Sequence, residues 1–195
     1  TFVHAARTFL SSGCCVIPEA LPQDFTQSCR ERATRDRAFL EAELQARRGE
    51  ISASSSSQPS STNMDHHLAA SVHRCDFAEL VKRDGGRLDV RFQMHKGEYV
   101  APGLVYNPLV FPLVKALLGG GDVNLLYAGV MWAKGRPDQT AQRWHADGGH
   151  LFNENGHQPP HCINVFYPLI DLTPDHGPTE FMPGTHRLGN FNGEG

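Results

Sequence analysis

The chain of 195 residues is long enough to form one domain whose hydrophobic core is stable without disulfides or structural metal ions. Its 18 Lys and Arg residues nearly balance its 21 Asp and Glu residues, which excludes the strongly basic surface of a nucleic-acid-binding protein. The same balance makes a small molecule or another protein the expected partner. No apolar run reaches the ~18 residues that a transmembrane helix needs.

The five cysteines are odd in number, unevenly spaced and without C-x-x-C pairing. This pattern argues against both a disulfide framework and a zinc ribbon, and it favours an intracellular, reducing compartment. Because the chain starts at Thr1 rather than Met, the question of a removed targeting peptide stays open.

Two helices are predicted in the first 50 residues. Apolar residues at helical spacing predict the first over Phe2 to Ser12, which ends at Gly13 and leads into a short strand over Cys14 to Ile17. The second is a long, polar helix from about Pro22 to Arg48, and Gly49 is its expected end. A helix this polar is expected on the outside of the domain.

Residues 51–64 are rich in serine and predict an exposed, mobile loop, because this composition cannot bury apolar surface. His66 and His67 follow, and they are expected in solvent rather than on a metal, since adjacent side chains diverge on helices and strands alike.

A short helix is predicted around Phe77 to Lys82. The clearest strand runs from Leu88 to Met94, where apolar and polar residues alternate.

Asn107 and Pro108 predict the start of a helix over Leu109 to Leu118, which the three glycines after it end. Residues 123–195 read as all-β. The predicted strands, separated by turn residues, are Val123 to Trp132, Gln142 to Asp147, His161 to Leu172 and Thr179 to Met182. The whole chain, residues 1–195, is therefore predicted to be one α+β domain with helices packed on a jelly-roll core.

The candidate chemistry lies in the motif Trp144-His145-Ala146-Asp147. On a β-strand, two residues at this spacing place their side chains on the same face. One imidazole and one carboxylate aimed at a common point are two of the three ligands of a facial triad, which holds Fe(II) and leaves the remaining positions open. A structural hydrogen bond between His and Asp has the same spacing, so the motif alone leaves both interpretations open.

Further segments accompany this motif: the strand ending Asp171-Leu172-Thr173, then Gly177-Pro178, then Phe181 to His186, and near the N-terminus Phe9 to Pro18. Together with the motif they resemble the phytanoyl-CoA dioxygenase family of Fe(II)/2-oxoglutarate oxygenases. The resemblance implies a double-stranded β-helix (cupin-like jelly-roll) fold, and Fe(II) and 2-oxoglutarate as cofactors, with ascorbate as a further candidate. It also implies hydroxylation of a small or acyl substrate with release of succinate and CO2.

By the same resemblance, His145 and Asp147 are the iron ligands and the catalytic residues. The residues implied to bind the cofactor are Trp132, Lys134, Asn164, Phe166 and His186. A place in the core is an equally good interpretation of Trp132 and Phe166. His186 is either the third ligand or, as part of a Pro-Gly-Thr-His turn, a neighbour of the pocket, and the second interpretation is favoured.

In this family the distal histidine and a following arginine, which binds the far carboxylate of 2-oxoglutarate, are expected beyond Gly195. Two readings therefore stay open. The first is an oxygenase completed by those residues, and the second is a non-catalytic relative in a larger assembly, whose open β edges are covered by a protein partner. A third interpretation, a zinc hydrolase that uses His145 and Asp147, is less well supported than these two, because no H-E-x-x-H spacing is present.

Overall fold

The computed structural model describes residues 2–54, 77–82, 87–92, 102–133, 141–147 and 159–187. Helix α1 spans Phe2–Ser12, as predicted. The N–H of Gly13 donates to the carbonyl of Phe9 at 2.7 Å, and its φ of 81° is one that glycine adopts without strain. The strand predicted over Cys14 to Ile17 does not form with any strand of the described chain.

Helix α2 spans Gln23–Ser54 and is longer than predicted. Gly49 lies inside it rather than at its end. A glycine inside a helix costs only about 1 kcal/mol relative to alanine, which one favourable turn on each side offsets. Residues 51–54 are consequently helical, not part of a serine-rich loop, and residues 55–64 of that predicted loop lie outside the described ranges.

The sheet has three strands, β1 (Phe77–Lys82), β2 (Leu88–Phe92) and β3 (Gly129–Trp132), in the order β1-β2-β3 with both pairs antiparallel. Strand β2 confirms the alternating pattern. The helix predicted over residues 77–82 is wrong, since this segment is β1. Its apolar residues have helical spacing, but pairing with β2 satisfies its backbone and overrides that local preference.

The core lies where Leu40 of α2 meets strand β2. Leu40 of α2 and Leu88 and Val90 of β2 are buried together, with exposed fractions of 1%, 7% and 0%. The buried residues of α2 follow a helical period along one face: Cys29, Ala33, Asp36 and Leu40. The Nε of Arg32, one turn away, donates to both carboxylate oxygens of Asp36 at 2.9 Å, so this buried acidic side chain is paired within the helix.

Helix α3 spans Pro102–Val105 and was not predicted. Helix α4 spans Phe111–Leu117, so it begins two residues later than the predicted helix. Asn107 explains the late start of α4. Its side-chain oxygen accepts hydrogen bonds from the N–H groups of Leu109 and Val110 at 2.9 and 3.0 Å, which holds these residues in a turn ahead of the helix. Gly119 and Gly120, with φ of 94° and 80°, end α4 as predicted.

The described part of residues 123–187 contains one strand, β3, and two short 3-10 helices, Pro174–His176 and Thr185–Arg187. The segments 142–147, 161–172 and 179–182, which were predicted to be strands, have no regular secondary structure and pair with no described strand. The chain thus has a mixed architecture of helices and a small sheet. No helix within the described ranges is long and apolar enough to cross a membrane.

Candidate active site

His145 and Asp147 point towards each other. The Nε2 atom of His145 lies 3.4 Å from Oδ1 of Asp147, and the two side chains are 57% and 60% exposed. The carbonyl of Arg143 lies 2.8 Å from the other ring nitrogen, Nδ1. A carbonyl oxygen only accepts hydrogen bonds, so Nδ1 carries the proton, and in the neutral ring Nε2 presents its lone pair towards Asp147.

Asp147 is held from its other side. Asn164 donates from Nδ2 to Oδ2 of Asp147 at 2.9 Å, which leaves Oδ1 facing His145. Asn164 belongs to the irregular segment 159–173, 17 residues further along the chain, so two separate segments build this cluster. Tyr167 of the same segment donates its hydroxyl to the carbonyl of Leu104 in α3 at 3.3 Å.

This arrangement suits a cation. A neutral imidazole nitrogen and a carboxylate oxygen 3.4 Å apart are both electron-rich, and they repel unless a proton or a metal ion lies between them. Two ligand atoms about 2.1 Å from one metal ion are about 3.0 Å apart at an angle of about 90° and about 3.4 Å apart at about 109°, so the observed separation lies in the range for two ligands of one ion. His145 and Asp147 therefore fit two adjacent positions of a metal site.

No group of three or more His, Cys, Asp or Glu side chains able to hold a metal ion occurs in the described part of the chain. His145 and Asp147 consequently form a pair rather than a complete triad there. Their high exposure leaves the other sides of the pair open to further ligands.

The other predicted cofactor-binding residues lie in different surroundings. Trp132 ends β3 opposite Leu88 and packs against the hydrophobic core, in line with its alternative interpretation as a core residue. Phe166 is 52% exposed, which does not fit the same interpretation for that ring. Lys134 lies outside the described residues. A cofactor-binding role for these three residues stays a prediction.

His186 contacts helix α1. Its Nε2 donates to the carbonyl of Leu10 at 3.2 Å, and Arg187 donates from Nη2 to the same oxygen at 2.9 Å. The N–H of Gly184 donates to the carbonyl of Ser12 at 2.8 Å. The turn around His186 thus binds the last carbonyl groups of α1, where the helix dipole favours basic side chains.

Sequence reasoning missed two contributors to this arrangement. The carbonyl of Arg143, which fixes the proton on His145, is a backbone group and carries no sequence signal. Arg187 binds a carbonyl at the C-terminal end of α1, and the sequence does indicate such a role, since a basic residue next to a Pro-Gly-Thr-His turn is a candidate for binding helix carbonyls. The carbonyl that it binds, however, lies 177 residues earlier in the chain.

The phytanoyl-CoA dioxygenase (PhyH) family model matches residues 9–194. Among characterised proteins, L-proline trans-4-hydroxylase of Streptomyces griseoviridis is 30% identical over 95 residues, which cover 49% of this chain and 35% of the hydroxylase. The match thus spans about a third of that relative's length. No solved structure shows significant similarity to the chain. Since the family model covers nearly the whole sequence, the chain belongs to the phytanoyl-CoA dioxygenase family.

Proposed function

We propose that the protein is an Fe(II)- and 2-oxoglutarate-dependent dioxygenase that hydroxylates a small or acyl substrate and releases succinate and CO2. The observation that carries this proposal is the opposed pair of Nε2 of His145 and Oδ1 of Asp147 at 3.4 Å, in a chain of this family. The fixed proton on Nδ1 of His145 adds support, because ligand histidines in metal sites commonly donate their second nitrogen to a carbonyl or carboxylate.

When bound, iron and 2-oxoglutarate supply the oxidising power. The chain's own groups would hold the metal and keep it accessible. His145 would contribute a neutral nitrogen and Asp147 a negative oxygen, two of the three ligands of a facial triad for Fe(II). A complete site also requires a third protein ligand and a cation for the far carboxylate of 2-oxoglutarate, and we expect both outside the described residues.

The finer fold assignment belongs to the same proposal. We expect the segments that carry His145, Asp147 and Asn164 to belong to a double-stranded β-helix core within one domain of residues 1–195. Membership of the family supports this assignment. Lys134 and Phe166 are further candidates for contact with 2-oxoglutarate in that core.

The test uses the full-length protein, purified without oxygen and supplied with Fe(II) and 2-oxoglutarate. Succinate formation is measured with a panel of free amino acids and acyl thioesters. L-Proline is the first compound to test, because it is the named substrate of the relative from Streptomyces griseoviridis. We expect succinate to form only when both iron and 2-oxoglutarate are present, and more when a substrate is added.

His145→Ala should lower this rate at least about 100-fold, because removal of a ligand is more severe than removal of a group that orients one, which typically loses 10- to 100-fold. His161→Ala is the matched control, since His161 is an exposed histidine on the neighbouring segment. Succinate formation that persists in His145→Ala would contradict the proposal. Absence of any iron-dependent turnover in the wild-type protein would favour the non-catalytic alternative.

A further inference from the structure

We propose that Asn164 is a positioning residue, which holds Asp147 so that only one of its carboxylate oxygens is presented to the metal. This inference rests on the proposed function and assigns Asn164 a different role from the cofactor contact that the family resemblance implied. The relevant contact is the hydrogen bond of 2.9 Å from Nδ2 of Asn164 to Oδ2 of Asp147.

The direction of this hydrogen bond is fixed by chemistry. An ionised carboxylate only accepts hydrogen bonds, so the NH2 end of the Asn164 amide must face it. A hydrogen bond to a charged acceptor is about twice as strong as one between neutral groups. The amide therefore restrains the rotation of a side chain that is otherwise 60% exposed and free to turn.

The restraint determines which oxygen faces His145. With Oδ2 engaged by Asn164, Oδ1 is the oxygen opposite Nε2 of His145. A carboxylate that binds a metal through one oxygen uses one coordination position, whereas one that binds through both uses two. Asn164 thereby favours single-oxygen binding, which keeps a further position open on the metal. A facial-triad site needs such open positions.

The segment that carries Asn164 is itself held in place. Tyr167, three residues later, is half-buried and donates its hydroxyl to the carbonyl of Leu104 in α3. The amide of Asn164 consequently lies on a segment that is hydrogen-bonded to α3. A ligand held in this way needs little rearrangement when the metal binds.

The two roles of Asn164 predict different measurements. A residue that positions Asp147 affects metal affinity even when 2-oxoglutarate is absent. A residue that contacts 2-oxoglutarate affects the KM for 2-oxoglutarate at saturating metal and leaves the affinity for metal alone unchanged.

The test is a calorimetric titration of the full-length protein with Co(II) alone, as a redox-stable substitute for Fe(II). Asn164→Leu has a similar volume but no donor, and we expect about 10- to 100-fold weaker binding. Asn164→Gln retains the amide on an exposed side chain, and we expect a smaller loss than for the leucine variant. Asn124→Leu, the same change at another exposed asparagine, should bind Co(II) as the wild type does.

Thermal unfolding midpoints of these variants should match the wild type, because positions 164 and 124 are both exposed. Binding by Asn164→Leu that equals the wild type, or binding by Asn164→Gln as weak as that of the leucine variant, would overturn the inference. So would a raised KM for 2-oxoglutarate with unchanged Co(II) affinity.

His145→Ala separates this inference from the proposed function. If His145→Ala loses Co(II) binding but Asn164→Leu does not, the positioning role alone fails. If His145→Ala binds Co(II) as tightly as the wild type, the metal site fails, and the proposed function fails with it.

Discussion

The side chain of Asn107 is only 2% exposed, and its hydrogen bonds connect three parts of the chain. Its amide nitrogen donates to the carbonyl of Ala20 at 2.6 Å and to that of Gly103 at 3.2 Å. Its oxygen binds the N–H groups that precede α4, as described above. Both ends of this amide are therefore used, and no water needs to reach it.

Replacement of Asn107 by alanine should destabilise the fold by about 1–3 kcal/mol, because the part-buried Ala20 carbonyl and Leu109 N–H lose their side-chain partner. The free energy of unfolding, measured by urea titration, tests this value. Asn124→Ala removes an exposed amide and should change it by less than about 0.5 kcal/mol. An equal effect at the two positions would contradict the role assigned to Asn107.

Individual residues of the site were predictable to different degrees. His145 and Asp147 form a short motif whose spacing is compatible with a metal site and with a structural hydrogen bond, and Asn107 stands in a recognisable helix-start sequence. The contact of Asn164 with Asp147 joins segments 17 residues apart, and that of Asn107 with Ala20 joins residues 87 apart. No local pattern encodes such pairs, because they arise only when the chain folds back on itself.

Among the helices and strands, success followed the strength of the local signal. The alternation in β2 and the glycines after α1 and α4 were decisive locally, and these elements formed as predicted. Strand β1 has Phe77, Leu80 and Val81 at helical spacing, yet it pairs with β2 from end to end. Sheet formation depends on a partner strand as much as on the segment itself, so six residues do not decide it.

The pairing of β3 with β2 depends on Gly129. A Cβ atom at this position would lie well inside contact distance of the Val90 carbonyl oxygen, which belongs to the backbone and cannot move without disturbing the sheet. Gly129→Ala should therefore separate the two strands and destabilise the protein by about 2–3 kcal/mol, in the range typical of steric overpacking.

Gly121→Ala is the matched control, because a Cβ atom there meets nothing within 4 Å. Thermal and urea unfolding of both variants would measure the difference. Equal stability of Gly129→Ala and Gly121→Ala would show that β3 can move away from β2 at no cost.

At the scale of the molecule, the segment 159–187 is hydrogen-bonded to two helices, α3 and α1. Near its middle, Tyr167 binds the carbonyl of Leu104, and at its end His186 and Arg187 bind that of Leu10. Gly13 permits the second attachment, since a side chain there would meet the His186 ring at 2.7 Å. Asn164 lies on the attached segment, so the geometry of Asp147 depends on this docking.

The attachment through Tyr167 should weaken at alkaline pH. Burial raises the pKa of Tyr167 above its ordinary value of 10.0, because the phenolate loses hydration in this position. The folded protein therefore keeps this proton at a pH where the unfolded chain has released it. The resulting stability is fully present below about pH 10 and is lost as pH rises through the raised pKa of the folded state.

Tyr167→Phe removes both the hydroxyl and its titration. We expect the wild type to be more stable than this variant at pH 8, by at most about 1 kcal/mol for one partly exposed hydrogen bond. The advantage should shrink as pH rises from 8 to 11, because ionisation removes the donor and places a charge in a half-buried site. Lysines and the remaining tyrosines titrate in both proteins, so their effects cancel in the difference.

Urea unfolding of the wild type and Tyr167→Phe at several pH values measures this difference directly. Tyr106→Phe is the matched control, because Tyr106 is 63% exposed, and it should leave the stability nearly unchanged across the same range. If the advantage of the wild type over Tyr167→Phe stays constant or grows with pH, Tyr167 is not the group that ties the Asn164 segment to α3. Loss of the advantage above about pH 10 would instead link the docking of that segment near its middle to the half-buried hydroxyl of Tyr167.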